Sequence, residues 1–251
     1  MLNHPTRDKL LALQLTGMAK ALSEQMVLPE SQALRFEERL GLLVDREMTA
    51  RSDRRLTTRL RQAKLRLRAS LEDIDYRHPR GLDTALLLRL SSCQWIHERH
   101  NVLITGPTGS GKTWLSCALG HQAWREGYTV LSLRLPRLLQ ELPIAKGDGR
   151  YPKLLASLAK TALLILDDWG LASLSDANRR DVLELLEDRH GRGATIVTSQ
   201  FPVEHWHEAL GNPTLADAIL DRLLHNAYKM TLRGESMRKR HAPVKTDVPA
   251  T

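Results

Sequence analysis

Residues 106–113 form the octapeptide Gly-Pro-Thr-Gly-Ser-Gly-Lys-Thr, which matches the pattern G-x-x-x-x-G-K-[ST] in full. Glycines in this pattern let consecutive backbone N–H groups curl around phosphate oxygens at the N-terminus of a helix. The flanks fit, because a β-branched run at 101–105 precedes the octapeptide and helical spacing follows it up to residue 126. The sequence therefore predicts a strand, a phosphate-binding loop and a helix in succession, within an α/β domain that binds a nucleoside triphosphate.

The loop residues have separate expected roles. The ammonium group of Lys112 is expected to reach the β- and γ-phosphates, and the hydroxyl of Thr113 to enter the shell of Mg²⁺, which takes few protein ligands. ATP and Mg²⁺ are therefore the predicted cofactors. The predicted nucleotide-binding residues in this segment are Gly106, Pro107, Thr108, Gly109, Ser110, Gly111, Lys112, Thr113 and Trp114.

The hydrophobic pattern changes near residue 80. The first 75 or so residues carry only helical spacing, whereas short buried strands alternate with helices from residue 82 onward, as in an α/β domain with a parallel sheet. Pro79 and Gly81, residue types that commonly end helices and strands, lie at this change. We therefore expect a helical N-terminal domain at 1–78, an ATPase domain at 79–240 and a disordered tail at 241–251. Strands are predicted at 101–105, 128–133, 162–167, 194–198 and about 227–232.

Three helices are predicted in the N-terminal region, over residues 11–26, 36–48 and 56–74. The polar faces around the third are basic, with Asp53 as the one acid between residues 51 and 68. The basic residues are Arg51, Arg54, Arg55, Arg59, Arg61, Lys64, Arg66 and Arg68. Such a surface either binds nucleic acid or an acidic partner, or is a solvated face that keeps the protein soluble.

The whole chain has a net charge of +8, which suits a polyanionic partner such as nucleic acid but also a merely soluble basic enzyme. Cys93 and Cys117 lie far apart in apolar helical patterns, so neither metal ligation nor a disulfide framework is expected. The N-terminus does not resemble a signal peptide, and no apolar run approaches the roughly 20 residues that span a bilayer. We expect a cytoplasmic protein with no membrane partner.

Two acids follow a second apolar run. Residues 162–166 read Ala-Leu-Leu-Ile-Leu and precede Asp167 and Asp168, which is the Walker B arrangement. Because a buried parallel strand delivers its last residues to the ligand crevice, Asp167 can hold Mg²⁺ and Asp168 can orient or deprotonate the attacking water. Taken alone, the acid pair could instead cap a following helix.

Two further residues are candidates for the hydrolytic reaction. Gln200 follows the strand at 194–198 and would lie beside the γ-phosphate if that strand neighbours the Walker B strand; otherwise it is an ordinary polar residue at a strand end. Arg222 is the candidate for stabilising transition-state charge on the γ-phosphate of a neighbouring subunit. Its alternative is a surface salt bridge with Asp221 or Asp217.

Taken together, these motifs resemble the AAA+ superfamily, and more narrowly the IstB/DnaC-type helper ATPases. The resemblance rests on residues 106–113, 164–170, 198–202 and 233–238, and on 36–40 and 72–76 in the N-terminal region. It implies an ATP-dependent helper of insertion-sequence transposition. Such a protein oligomerises as a ring or spiral on duplex DNA, remodels the DNA and recruits a partner transposase, which stimulates ATP hydrolysis. The helical N-terminal domain would serve self-assembly and partner docking.

The chain departs from the AAA+ pattern in two places. AAA+ enzymes usually have Asp-Glu at Walker B, whereas Asp168 is one methylene shorter, so we expect slow intrinsic hydrolysis until a partner stimulates it. The usual helical lid is also missing, although Arg238 is a candidate second arginine for sensing nucleotide or for contacting DNA. DNA binding that is largely independent of sequence is expected, because phosphate contacts carry no base information. The candidate DNA contacts are Arg134, Arg137, Lys146 and Arg150.

Two other functions remain open at this stage. The same ATPase type can load a replicative helicase and would then bind single-stranded DNA. A small-molecule kinase shares the phosphate loop, but it would need a lid and an acceptor pocket, for which neither the paired acids nor the basic N-terminal helix is suited.

Overall fold

The computed structural model describes residues 5–28, 31, 33–77 and 79–237, and for residues 55–62 it describes the backbone alone. The chain forms two compact units, Met1–Arg59 and Leu60–Thr251. The division falls earlier than the boundary that we expected near residue 78. The reason is that Ala63, Leu65, Ala69, Leu71 and Ile74 pack into the core of the second unit. The predicted tail at 241–251 lies outside the described residues.

Three helices build the first unit up to the division: α1 (Pro5–Ala12), α2 (Thr16–Val27) and α3 (Phe36–Ala63). The single helix expected over 11–26 is wrong, because the chain breaks at Gln14, whose φ is +60°. The helices expected at 36–48 and 56–74 also differ from the structure. They begin as one continuous helix, since residues 49–55 contain neither proline nor glycine to end it.

The end of α3 is equally informative. The helix stops at Ala63, and Lys64 adopts a left-handed φ of +50°. Residues that were expected to continue the helix instead run in an irregular path with one short 3-10 turn, Leu71–Asp73. Leu65, Ala69 and Leu71 pack there against the second unit's core, so tertiary contacts override the helical spacing of this segment.

Inside the first unit, Glu47 of α3 joins α3 to α2. Its carboxylate accepts hydrogen bonds from the backbone N–H groups of Gly17, at 2.6 Å, and Met18, at 3.1 Å. A side chain at Gly17 would meet the carbonyl oxygen of Arg46 at 2.7 Å, so glycine permits the close approach of the two helices. The carboxylate thus satisfies otherwise unpaired N–H groups at the start of α2.

A five-stranded sheet forms the centre of the second unit. Its strands are β1 (Asn101–Thr105), β2 (Val130–Arg134), β3 (Leu163–Trp169), β4 (Ala194–Ser199) and β5 (Ala227–Thr231). They lie in the order β2-β3-β4-β1-β5, and every neighbouring pair is parallel. The predicted strands and the parallel α/β class are therefore confirmed, with shifts of one or two residues at their ends.

Helices cover both faces of the sheet. They are α4 (Thr84–Ser91), α5 (Gln94–His97), α6 (Lys112–Arg125), α7 (Leu135–Gly147), α8 (Tyr151–Lys160), α9 (Asp176–Arg189), α10 (Trp206–Leu210) and α11 (Pro213–Leu224). Alternate strand residues enter separate cores, as the period of two requires: Leu103 packs with α7 to α11, whereas Val102 and Ile104 pack with α4 to α6. Among the described helices, none is long and apolar enough to cross a membrane.

Candidate nucleotide-binding site

The predicted phosphate loop lies between β1 and α6, at the carboxyl end of the sheet. Gly106, Gly109 and Gly111 have φ values of +144°, +82° and +98°, which side-chain-bearing residues rarely adopt. A Cβ on Gly106 would collide with the carbonyl oxygen of Leu232, and one on Gly109 would collide with Ser236. Helix α6 begins at Lys112, so its positive N-terminal end faces the loop, as binding of a phosphate requires.

Lys112 and Thr113 are held by groups of the site itself. The Nζ atom of Lys112 donates hydrogen bonds to the carbonyl oxygens of Gly106, at 2.7 Å, and Pro107, at 2.8 Å. The hydroxyl of Thr113 donates to Asp167 Oδ1 at 3.0 Å, which brings the first predicted Mg²⁺ ligand to the second across 54 residues. Hydroxyl and carboxylate oxygens are the donors that Mg²⁺ prefers, so these two residues fit the ion.

A bulge at the end of β3 brings the two acids together. The register with β4 shifts between Leu166 and Trp169, and Asp168 has a left-handed φ of +66°. In a regular strand, successive side chains point to opposite faces. Here one guanidinium nitrogen, Nη1 of Arg66, lies 2.8 Å from Asp167 Oδ2 and 3.9 Å from Asp168 Oδ2. Bulges beside active sites commonly re-aim a side chain in this way.

Each acid has further partners. The hydroxyl of Thr198, on β4, donates a short hydrogen bond to Asp167 Oδ1 and accepts one from the backbone N–H of Asp168 at 3.3 Å. Asp167 is almost completely buried, so these bonds satisfy a carboxylate that water cannot reach. The carboxylate of Asp168 accepts a hydrogen bond from Nε of Arg134 at 2.6 Å. Arg134, which was expected to contact DNA, therefore lies on the predicted water-activating acid.

Gln200 lies beside the phosphate loop. Its Oε1 accepts a hydrogen bond from the hydroxyl of Thr108 at 2.6 Å. The predicted place of Gln200 required that its strand neighbour the Walker B strand. This is so, because β4 lies between β1 and β3, and Gln200 therefore lies between the phosphate loop and the two acids. Its role as a γ-phosphate sensor remains a prediction.

Arg222 lies at the other end of the sheet. Its carbonyl oxygen accepts a hydrogen bond from Asn101, the first residue of β1, whereas the phosphate loop follows the last, Thr105. The length of the strand, about 13 Å at roughly 3.3 Å per residue, separates the two. The guanidinium pairs with Asp221 at 2.9 Å and with Glu187 at 3.5 Å. Arg222 therefore lies at the end of the strands opposite the phosphate loop of its own subunit.

The other candidate DNA contacts lie around α7 and α8. Lys146 pairs with the buried carboxylate of Asp181, and Arg150 pairs with Asp148 at 2.7 Å. Arg137 is exposed on α7. The flexible loop expected at 146–150 is short, because α7 continues to Gly147 and α8 begins at Tyr151. These residues therefore offer mostly paired cations, which a DNA phosphate would have to draw away from carboxylates.

Two buried polar atoms next to the phosphate loop indicate a site built for an anion. Within the described residues, Arg80 Nε and Ser110 Oγ are buried without a hydrogen-bond partner. A Cβ on Gly111 would lie 2.9 Å from Arg80 Nη1, so this guanidinium adjoins the loop, and burial lowers its pKa below the usual range. A buried cation beside a positive helix end is unfavourable until an anion arrives. The surroundings fit a triphosphate.

The remaining predicted ligands are Trp114 and Arg238. Trp114 packs against the buried cluster of Ala69, Cys117 and Ala118, which also receives Leu65 and Leu71 from the segment after α3. Arg238 lies outside the described residues. The described chain reaches the loop with Met237, whose backbone N–H donates to the carbonyl oxygen of Gly109 at 2.9 Å.

Sequence reasoning missed Arg66, Arg80 and Thr198. Arg66 was counted only as part of a basic helix, and Thr198 only as a strand residue. The one available signal is that Thr198 ends the predicted strand 194–198, as Asp167 ends the predicted strand 162–167.

Comparison with known proteins agrees with this site. The sequence model of the family described as IstB-like ATP binding protein matches residues 8–244. An insertion sequence ATP-binding protein of Sinorhizobium fredii is 56% identical over 239 residues, which cover 95% of this chain and 98% of the relative. The insertion sequence IS21 ATP-binding protein of Pseudomonas aeruginosa is 35% identical over 216 residues, covering 85% and 82%.

Solved structures support the fold. A crystal structure of DnaI has a TM-score of 0.58 and 24% identity, and covers 66% of this chain and 91% of its own. The DnaC helicase loader has a TM-score of 0.54 and 20% identity, and covers 65% and 96%. The parallel sheet with its phosphate loop and Walker B strand is thus an AAA+ P-loop ATPase fold, and this chain belongs to the family of IstB-like ATP-binding proteins.

Proposed function

We propose that this protein is an ATPase of DNA transposition that binds ATP and Mg²⁺, assembles on duplex DNA and recruits a partner transposase. The observation that carries the proposal is the hydrogen bond from Thr113 to Asp167 at 3.0 Å, which closes the phosphate loop onto the Walker B strand. Lys112 would transfer from two loop carbonyls to the β- and γ-phosphates. Mg²⁺, held through Thr113 and Asp167, would neutralise phosphate charge.

Hydrolysis requires a water that attacks the γ-phosphorus in line with the bond that breaks to release ADP. Asp168 would accept the proton of that water, and Gln200 would orient it with an amide that does not titrate. Arg134 occupies the Asp168 carboxylate at 2.6 Å, so Asp168 is engaged as a hydrogen-bond acceptor until Arg134 moves. This contact supports slow intrinsic turnover, in addition to the shorter side chain at position 168.

Assembly would complete the site in trans. Because Arg222 lies at the end of the sheet opposite its own phosphate loop, it would act on the γ-phosphate of an adjacent subunit. Its pairs with Glu187 and Asp221 leave the side chain about a third exposed, which permits the exchange of these partners for phosphate. The proposed product is a ring or spiral of subunits.

Duplex DNA is the proposed polyanionic partner, because the chain carries a net charge of +8. The candidate contacts are Arg134, Arg137, Lys146 and Arg150. Because these residues would neutralise phosphates, the affinity should fall steeply with salt and vary little with sequence.

The relatives support transposition over the loading of a replicative helicase. Those with the higher identities are named as insertion sequence ATP-binding proteins and match nearly full length, whereas DnaI and DnaC share the fold at lower identity. A helicase loader remains the second candidate, with single-stranded DNA as its ligand. The two differ in whether ATP-dependent assembly requires duplex or single-stranded DNA.

Light scattering of the full chain tests the proposal, with mixed-sequence duplex or single-stranded DNA and with no nucleotide, ADP or ATP. Large complexes are expected only with ATP and duplex DNA, and Lys112→Ala should abolish them. Lys153→Ala, an exposed lysine on α8, is the matched control. Assembly on single strands alone would favour the loader, and assembly that ignores ATP and Lys112 would refute both.

A further inference from the structure

Arg66 places a cation on the proposed Mg²⁺ ligand. It lies three residues after the end of α3, in the segment that precedes the ATPase sheet. Its Nη1 is 2.8 Å from Asp167 Oδ2, and the Asp167 side chain is 2% exposed whereas that of Arg66 is 46% exposed. A buried acid is thereby paired with a half-exposed cation that comes from 101 residues earlier in the chain.

The backbone around Arg66 is fixed to the helix of the phosphate loop. The thiol of Cys117 on α6 contacts the backbone of Arg66 and Leu67, and Ala69 packs against Cys117 and Ala118. Thr113 and Cys117 are four residues apart and so lie on one face of α6. The segment therefore lies over the face that carries Thr113, and the Arg66 side chain can leave Asp167 without the backbone leaving the helix.

Arg66 and Mg²⁺ require the same carboxylate. The Thr113 hydroxyl lies 3.0 Å from Asp167 Oδ1 and 3.2 Å from Oδ2, and the Thr198 hydroxyl donates to Oδ1. Arg66 is the cation bound at Oδ2, beside the hydroxyl that would share the ion with Asp167. Two cations at one carboxylate oxygen repel each other, and the buried carboxylate of Asp167 has no second open oxygen to separate them. Entry of the ion at Thr113 and Asp167 thus requires that the guanidinium withdraw.

We propose that Arg66 is a competitor of Mg²⁺ in cis, whose withdrawal from Asp167 accompanies the loading of ATP and which sets the Mg²⁺ concentration that nucleotide binding requires. This inference rests on the proposed function, because it assumes that Asp167 holds Mg²⁺. It adds a regulatory role for a segment outside both nucleotide motifs. The basic stretch predicted as a surface for nucleic acid or an acidic partner, or as a solvated face, supplies at Arg66 a counter-ion for the nucleotide site.

The test is the binding of a fluorescent ATP analogue to the full chain, followed by anisotropy across a titration of Mg²⁺. Arg66→Ala should lower the Mg²⁺ concentration at half-maximal binding about tenfold, the scale of one hydrogen bond to a charged group. Arg66→Lys should fall between this variant and the wild type. Arg68→Ala, which removes an exposed arginine of the same segment, is the matched control and should behave as the wild type.

A second measurement does not require nucleotide. Millimolar MgCl₂ alone should raise the midpoint of thermal unfolding of the Arg66→Ala protein more than that of the wild type, because binding to the folded state stabilises it. An unchanged Mg²⁺ midpoint in Arg66→Ala, or a raised one, would overturn the competition. A wild-type protein that does not bind the analogue with or without Mg²⁺ would refute the proposed function itself.

Discussion

Thr198→Val replaces the hydroxyl that joins the two acids of β3 with a methyl group of nearly the same size. The variant leaves Asp167 Oδ1 without one buried donor and the backbone N–H of Asp168 without its acceptor. A hydrogen bond to a charged group contributes about 1.5 to 3 kcal/mol and a neutral one about 1 kcal/mol. We therefore expect the free energy of unfolding of the second unit to fall by about 2 to 4 kcal/mol.

Urea unfolding followed by tryptophan fluorescence measures this loss in the correct unit, because all five tryptophans lie between residues 95 and 206. With a slope of about 2 kcal/mol per molar urea, the midpoint should fall by about 1 to 2 M. Thr198→Ser keeps the hydroxyl and loses only the methyl group, so it is the control. If Thr198→Val were as stable as Thr198→Ser, the hydroxyl would not bridge the acids and the reasoning would be refuted.

Three other predictions concern the loop, the acids and the first unit. Gly109→Ala should lose ATP binding at least tenfold by equilibrium titration, since its Cβ would collide with Ser236 in addition to the strained φ, whereas Gly147→Ala on α7 should not. Arg134→Ala should raise ATP hydrolysis without DNA several-fold by releasing Asp168, and an equal rate in Arg137→Ala would contradict this. Burial raises the pKa of Glu47, but hydrogen bonds from Arg51, Met18 and Gly17 outweigh burial and lower the pKa overall. The charged carboxylate therefore stabilises the folded protein fully above the unfolded-state pKa, and this stabilisation is lost as the pH falls through the folded-state pKa. Urea unfolding followed by circular dichroism should therefore show the wild type more stable than Glu47→Gln at pH 6, with a difference that shrinks as the pH falls to 3, and a difference that does not depend on pH would contradict the assignment.

The strands and the phosphate loop could be predicted because local residues determine them. Short β-branched runs such as 101–105 are buried on both faces, and glycines at left-handed positions leave few alternatives for the loop. The order of the strands in the sheet was harder to predict, because it depends on pairing between distant parts of the chain. The predicted place of Gln200 beside the γ-phosphate was therefore conditional on β4 lying next to β3.

The partners of the acids could not be predicted for a different reason. Helical spacing predicts a helix through to Ile74, whereas the left-handed backbone at Lys64 turns the chain so that Arg66 reaches Asp167. That turn is stabilised by packing of Ala69 on α6, which is a contact between distant parts of the chain. A basic amphipathic pattern identifies cations but does not show which acids they neutralise.

The site has paired charges before any ligand is bound, and this has consequences for how it can act. Asp167 is neutralised by Arg66 and Asp168 by Arg134, while Lys112 is held by two carbonyls of its own loop. Each group that the proposed reaction uses must therefore exchange an internal partner for ATP, Mg²⁺ or water. Breaking these internal pairs costs part of the free energy of ligand binding. A ligand that binds Arg134 from outside the site would free Asp168 and so lower that cost. Arg134 is half-exposed at the end of β2, where a DNA phosphate can compete for it. The two interpretations of Arg134, as a DNA contact and as the partner of Asp168, are thus compatible, and together they would make hydrolysis depend on DNA.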